Sequence, residues 1–264
     1  MDRRDFLTAL VGAGVLAGCS PSHSATPRPR LPLAGRPPAV RVPVAELPVT
    51  RLPGPGRYLA LTVDDGASPE VVAAYCRFAR DTGARFTFFV TGHYASWREN
   101  RDLLRPLVDT GQVQLGNHTW THPDLTSLTE QACADELQQT KVFLRNEFGV
   151  DGTPYYRPPF GYRNDAVDRV AADLGYTVPT LWEGSLSDSG LITEQFLVGQ
   201  AREYLQAQHV VIGHANFPTV THVYDEIMHI IVRRGLQMVT LADYFLPPPA
   251  PHTPSSSPLP TPSL

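Results

Sequence analysis

Short apolar runs alternate with helical patterns from residue 57 to residue 246, and that order constrains the fold more than any other feature of the chain. Tyr58 to Val63 reads as a buried strand before a helix through Val71 to Thr82, and Arg85 to Val90 precedes a helix from Asp102 to Thr110. Val113 to Gly116 is a further short strand. Glu130 to Phe148 carries Ala132, Leu137, Val142 and Phe143 among the apolar positions of a long helix. Tyr155 and Tyr156 lead to a helix over Asn164 to Leu174, and Thr177 to Trp182 to one over Thr193 to Gln206. Val210 to Gly213 leads to a helix over Val223 to Arg234, with Gln237 to Thr240 last. Repeated strand-then-helix order predicts parallel strands covered by helices, because parallel neighbours need a crossover and a helix supplies it. A single α/β barrel fits this length and would gather reactive residues at the C-terminal ends of its strands.

The flanks show no such period. Residues 20–56 are rich in Pro, Ser and Arg, and proline at that density removes amide donors and favours extended backbone. They are read as a tether, and residues 247–264, of similar composition, as a disordered tail. Residues 1–19 read as a signal peptide: Arg3 and Arg4 precede an apolar run, Phe6 to Gly18, that is short for a membrane span. Leu16-Ala17-Gly18-Cys19 resembles a bacterial lipobox, which makes Cys19 the lipidation site. Arg3-Arg4-Asp5-Phe6-Leu7 resembles a twin-arginine export signal, with an ordinary signal as the alternative. The expected location is therefore the outer face of the bacterial cytoplasmic membrane, reached through lipid on Cys19. Cys76 and Cys133 remain, too few for a disulfide framework; they could pair, but are expected as free thiols. A net charge of −4 gives no reason to expect a nucleic-acid partner, and a monomer is expected.

Polar groups stand where several strands stop. Thr62-Val63-Asp64-Asp65-Gly66 puts two carboxylates side by side, so that one can bind a cation and the other serve as base; Asp-Gly is also a common turn pair. His118-Thr119-Trp120-Thr121-His122 places two imidazoles at i and i+4, on one face if the segment is helical, with Pro123 keeping any turn short. Ordinary loop histidines are the alternative, but Asp65 completes a set of two histidines and one carboxylate, which leaves positions open for water and substrate. Arg157-Pro158-Pro159-Phe160-Gly161 aims a guanidinium from a rigid turn, either at Asp64 or into a surface salt bridge. His214 ends the apolar run Val210-Val211-Ile212 and is placed to donate a proton, or to sit as a satisfied core histidine.

Together and in this order, the motifs resemble the polysaccharide deacetylase family that shares the NodB homology domain, carbohydrate esterase family 4. The resemblance covers residues 57–246 and implies a single-domain distorted (β/α) barrel of about seven parallel strands. It implies Asp64 as general base, Arg157 as its partner, and Asp65, His118 and His122 as metal ligands. It further implies the Phe160 N–H at the oxyanion, Ile212 beside the acetyl methyl and His214 as catalytic acid. One motif departs from the family's Asp-x-x-Asp-Trp. Ungapped placement puts Ser185 at the first Asp, Asp188 at the one that tunes the catalytic histidine, and Ser189 at the pocket tryptophan. Trp182 is the candidate to line the pocket instead.

The implied activity is hydrolysis of acetyl groups from an N-acetylglucosamine-containing polysaccharide, with a divalent metal as cofactor. The nitrogen and oxygen ligands suit Zn²⁺ first, with Co²⁺ and Ni²⁺ compatible. An O-acetyl esterase acting on xylan or another acetylated glycan would use the same residues. A glycan-binding surface lipoprotein without turnover is the alternative from a different class, and the Ser189 departure favours it.

Overall fold

The run at Tyr58–Asp65 becomes the central strand β1, buried along all but its first residue. Such a run suits a strand covered on both faces, as a parallel sheet under helices requires. The computed structural model describes residues 41–246. The strands that follow are β2 (Phe86–Val90), β3 (Val113–Asn117), β4 (Tyr155–Tyr156), β5 (Val178–Pro179), β6 (Gly184–Ser185), β7 (Val210–His214) and β8 (Gln237–Met238). They pair in the order β5-β4-β3-β2-β1-β7-β6, all parallel, with β8 beside the start of β1. The sheet curls into a half-barrel, the expected distorted (β/α) architecture.

Helices α1 (Pro69–Thr82), α2 (Ser96–Glu99), α3 (Arg101–Asp109), α4 (Glu130–Phe148) and α5 (Asp165–Asp173) fill the first crossovers. Helices α6 (Glu194–Tyr204), α7 (Thr219–His222), α8 (Tyr224–Arg233) and α9 (Leu241–Tyr244) complete the domain. Local chemistry sets the bounds of α4. Thr129 accepts from the Ala132 N–H at its start, and Gly149 takes the left-handed conformation (φ 72°) that stops it.

Strand alternation divides the core. Leu59, Leu61 and Val63 of β1 join Phe86, Phe88 and Val90 of β2 under the helices. The intervening residues face the barrel interior, where Ala60, Phe89, Val210 and Val239 meet Leu241, Tyr244 and Phe245. In β1 that inward set runs on from Ala60 through Thr62 to Asp64, so the interior turns from apolar to polar toward the C-terminal ends of the strands. Cys76 and Cys133 are buried and free, and burial pushes their thiols up to about 12 and about 11.

The stretch from residue 41 to residue 56, expected within the tether, lies against the domain. Val42 donates to the Tyr244 carbonyl and its own carbonyl accepts from Leu246. Val49 bridges to Thr180 beyond β5, and Arg51 to His209 before β7, so this segment laces the gap between the two sheet edges. Val49 and Leu52 are buried in the interior cluster, and apolar burial is what holds so proline-rich a segment in place. The signal peptide, Cys19 and the tail from residue 247 lie outside the described residues. Leu52→Ala should destabilise the protein by about 2–5 kcal/mol, read from urea unfolding. A loss below half a kcal/mol would mean the lacing segment does not belong to the folded unit.

Candidate active site

Asp64 and Asp65 end β1 and diverge because the backbone turns between them. Asp65 takes a left-handed conformation (φ 69°), which strains a residue with a Cβ and swings its carboxylate away from the strand's alternation. Gly66 follows with φ 91°, and a Cβ there would stand 2.2 Å from the Trp97 ring, so no larger residue fits. The Trp97 indole N–H donates to the Asp65 and Thr91 carbonyls, each at 3.1 Å, and fixes this corner.

His118 and His122 reach Asp65 from a loop, not from one face of a helix. After β3 the chain turns through left-handed Thr119 (φ 68°) and His122 (φ 63°), which folds the two rings together with centroids 4.8 Å apart. The Asn117 carboxamide accepts from the Thr119 N–H at 2.8 Å. Glu136 on α4 accepts from the Trp120 and Thr121 N–H groups at 2.9 and 2.7 Å. These bonds do the work that a helical ladder would have done. Asn117, Trp97 and Glu136 were not singled out in the sequence; only Asn117, a polar residue ending a buried strand beside His118, carried a local signal.

Three donors converge here. His118 Nε2 and His122 Nε2 lie 3.4 and 3.3 Å from Asp65 Oδ1, and no hydrogen-bond geometry is met at that buried oxygen. All three ligand atoms lie within 4.8 Å of one another. His118 Nδ1 donates to the Arg157 carbonyl at 2.7 Å, so Nδ1 carries a proton and Nε2 is the nitrogen turned to the carboxylate. An orphaned carboxylate oxygen facing two imidazole nitrogens fits a divalent cation of the borderline N/O type. Burial works against the charge on Asp65, but the imidazoles of His118, His214 and His122 hold its carboxyl well below the usual range. Burial also opposes charge on His118, yet Asp64 and Asp65 hold it above an ordinary histidine. His122 is lowered by burial and by the charge of His118.

Arg157 is wholly buried. Its guanidinium donates to Asp64 Oδ1 at 2.6 Å, Thr62 Oγ1 at 2.8 Å, and the Thr180 and Leu181 carbonyls, each at 3.0 Å. It also stacks over Phe89 at 4.3 Å and lies 5.5 Å from the Trp182 ring. The surface salt bridge considered from sequence is therefore overturned. Phe160 is left-handed (φ 60°), with its exposed ring edge-on to His122 at 4.7 Å. Trp182 lies beside the same turn, since a Cβ on Gly161 would come within 3.3 Å of its ring.

β7 supplies the last groups. His214 pairs in register with Asp64, and Ile212 with Thr62, so both lie on the inward face beside the carboxylate. His214 Nδ1 donates to Asp188 Oδ1 at 3.0 Å, and Asp188 is buried in the loop after β6. Burial lowers His214, but the bond and charge of Asp188, with Asp64, raise it above an ordinary histidine. Of the departed motif, Ser185 Oγ accepts from the Ser187 N–H at 2.9 Å and Ser189 is exposed. Asn216, which the sequence did not suggest, joins this group by donating to Asp65 Oδ2 at 2.6 Å.

Residues 51–179 match the family described as polysaccharide deacetylase. Chitin deacetylase 1 of Cryptococcus neoformans is 35% identical over 127 residues, 46% of this chain and 25% of that protein. The peptidoglycan-N-acetylmuramic acid deacetylase PdaA of Bacillus subtilis is 34% identical over 113 residues, 43% of this chain and 40% of that protein. The chain spans less than half the length of the curated relatives it matches. Among solved structures, a CE4-family pseudoenzyme from Bacillus anthracis superposes with a TM-score of 0.65 at 20% identity, over 74% of this chain and 67% of that one. At that identity the likeness shows the fold alone.

The Asp188 bond raises His214, so it stabilises the fold below the ordinary histidine range and that contribution is lost as pH rises through the raised value. Asp188→Asn should therefore move the His214 imidazole titration, followed by NMR, to lower pH. An unmoved titration would show that the bond does not govern His214.

Proposed function

We propose, since the chain belongs to the polysaccharide deacetylase family, that it is a metal-dependent hydrolase removing acetyl groups from an N-acetylglucosamine-containing polysaccharide, peptidoglycan-like or chitin-like. The observation that carries this reading is the orphaned Asp65 Oδ1 facing His118 and His122 beside the Asp64–Arg157 pair. Asp65, His118 and His122 would hold the cation, Zn²⁺ first with Co²⁺ and Ni²⁺ compatible, which supplies Lewis acidity toward the acetyl group when bound.

Asp64, oriented by Arg157, takes a proton from the water as its oxygen attacks the acetyl carbon. The Phe160 N–H faces the carbonyl oxygen as negative charge develops there; a donor of this kind is worth about 100- to 1000-fold in rate. Ile212 bounds the acetyl methyl, with Trp182 taking the place of the tryptophan that Ser189 replaces. His214, oriented by Asp188, gives its proton to the sugar nitrogen as the C–N bond breaks, because an amide anion is a poor leaving group. The products are acetate and a glycan with a free amine.

Acetyl esters of xylan would meet the same groups, so the substrate range covers O-acetyl glycans as a second reading. A non-catalytic reading draws on Ser189 and on the fold's occurrence in a pseudoenzyme; the intact set of Asp64, Asp65, His118, His122, Arg157 and His214 stands against it. The deciding experiment pairs metal analysis of the purified protein with acetate release from N-acetylglucosamine oligomers and acetylated xylan, before and after chelation. The expected result is stoichiometric metal and chelator-sensitive release from the oligomers, abolished by Asp64→Asn with metal retained. Absence of metal would sink the site, and wild-type turnover by Asp64→Asn would remove the base assignment.

The chain is further proposed to be exported and lipid-anchored through Cys19, as a monomer. Among the described residues no helix is long and apolar enough to cross a membrane, and the proposed anchor asks for none. Cys19→Ser should move the protein from the membrane to the soluble fraction of cells; unchanged fractionation would overturn the anchor.

A further inference from the structure

The turn after β7 grips the end of β1 at four points. The Ala215 N–H donates to the Asp64 carbonyl at 3.0 Å, and the Ala215 carbonyl accepts from the Ser68 N–H at 3.1 Å. Asn216 adds two bonds through its carboxamide. Its Oδ1 accepts from the Ala67 N–H at 3.1 Å, and its Nδ2 donates to Asp65 Oδ2 at 2.6 Å. The two partners fix which way the amide points, since a backbone N–H can only donate and a carboxylate can only accept.

This grip falls on the one residue of β1 with a left-handed backbone. A non-glycine residue at φ 69° keeps that conformation only where its surroundings hold it, and the Asn216 carboxamide ties Asp65 and Ala67 together across the Gly66 turn. The bond also sorts the two carboxylate oxygens. Oδ2 is occupied by Asn216, which leaves Oδ1 as the oxygen presented to His118 and His122. A carboxylate free to rotate would share both oxygens between these tasks and lose entropy on binding a cation. One held by a 2.6 Å bond has met that loss on folding.

We propose that Asn216 is a positioning residue for the cation site, setting the rotamer of Asp65 so that Oδ1 alone faces the histidines. This rests on the reading of Asp65, His118 and His122 as metal ligands. Asn216 is not one of the three groups that would hold the cation. Its effect passes wholly through Asp65, and it comes from the same turn that carries His214, so the proton donor and the cation ligand are held in register by one short segment.

The test measures Zn²⁺ affinity by competition with a chromophoric chelator, without substrate, for the unsubstituted chain and for Asn216→Ala, Asn216→Leu and Asp65→Ala. Asn216→Ala and Asn216→Leu should bind Zn²⁺ about 10- to 100-fold more weakly, while both still melt cooperatively without metal, at a lower temperature than the parent because the bond to the Asp65 carboxylate is lost. Equal affinity in parent and Asn216 variants, with Asp65→Ala impaired, would overturn the proposal and leave the site reading intact. A parent that takes up no Zn²⁺, or an Asp65→Ala variant that binds as the parent does, would instead remove the site reading itself. A second measurement needs no substitution that could unfold the chain. The Asn216 side-chain NH₂ resonances should shift on addition of one equivalent of Zn²⁺; resonances unmoved while Zn²⁺ binds would also overturn the proposal.

Discussion

The buried Arg157 guanidinium is the interaction on which the rest of the site depends. Removing a guanidinium from water costs several kcal/mol unless its donors are met, and here carboxylate, hydroxyl and two carbonyls meet them. Those partners belong to β1 and to the segment after β5, so the side chain spans the barrel interior. Its own backbone carbonyl fixes the tautomer of His118. One residue thereby orients Asp64, aims a histidine nitrogen and ties strands on opposite sides of the half-barrel.

Charge balance would favour a cation beside it. Asp64 and Asp65 are adjacent and nearly sealed from water, and Arg157 compensates only the first. Two neighbouring carboxylates in a low-dielectric site call for a second positive charge. Without a metal that demand falls on the imidazoles, which is why His118 is raised despite complete burial. His214 is raised by its own carboxylate, Asp188, which meets it at Nδ1. The same pair of groups, imidazole and carboxylate, thus recurs with a different ring nitrogen turned to the carboxylate: Nε2 in His118 and Nδ1 in His214.

The half-barrel leaves a gap between β5 and β6, and a segment from before β1 fills it. Val49 and Arg51 bridge to the two sides while Val49 and Leu52 join the interior core. Thr180 and Leu181, whose carbonyls hold Arg157, lie at this seam, and Leu181 donates to the Val49 carbonyl. The lacing segment therefore supports the site from behind, although proline content alone made it look like a linker. Proline density predicts extended backbone, and extended backbone is also what a lacing strand needs. Composition cannot tell the two apart because the difference lies in what the apolar residues meet.

Much of the domain was legible in the chain itself. Buried strands have continuous apolar runs, α4 carries its caps at Thr129 and Gly149, and the strand ends carry Asp64, Asp65, His118, Arg157 and His214 in the order of the family. These are local properties, set by side-chain periodicity and by which residue types can do the chemistry. Contacts between distant elements were not legible. The face shared by His118 and His122 came from two left-handed residues and Glu136 of α4, not from a helix. Asn216 reached Asp65 across 151 positions of sequence. The fold class and the candidate groups could be read along the chain, because periodicity and residue type are local. Which oxygen, which nitrogen and which strand edge they meet followed instead from the fold, because those contacts depend on the packing of elements far apart in the chain.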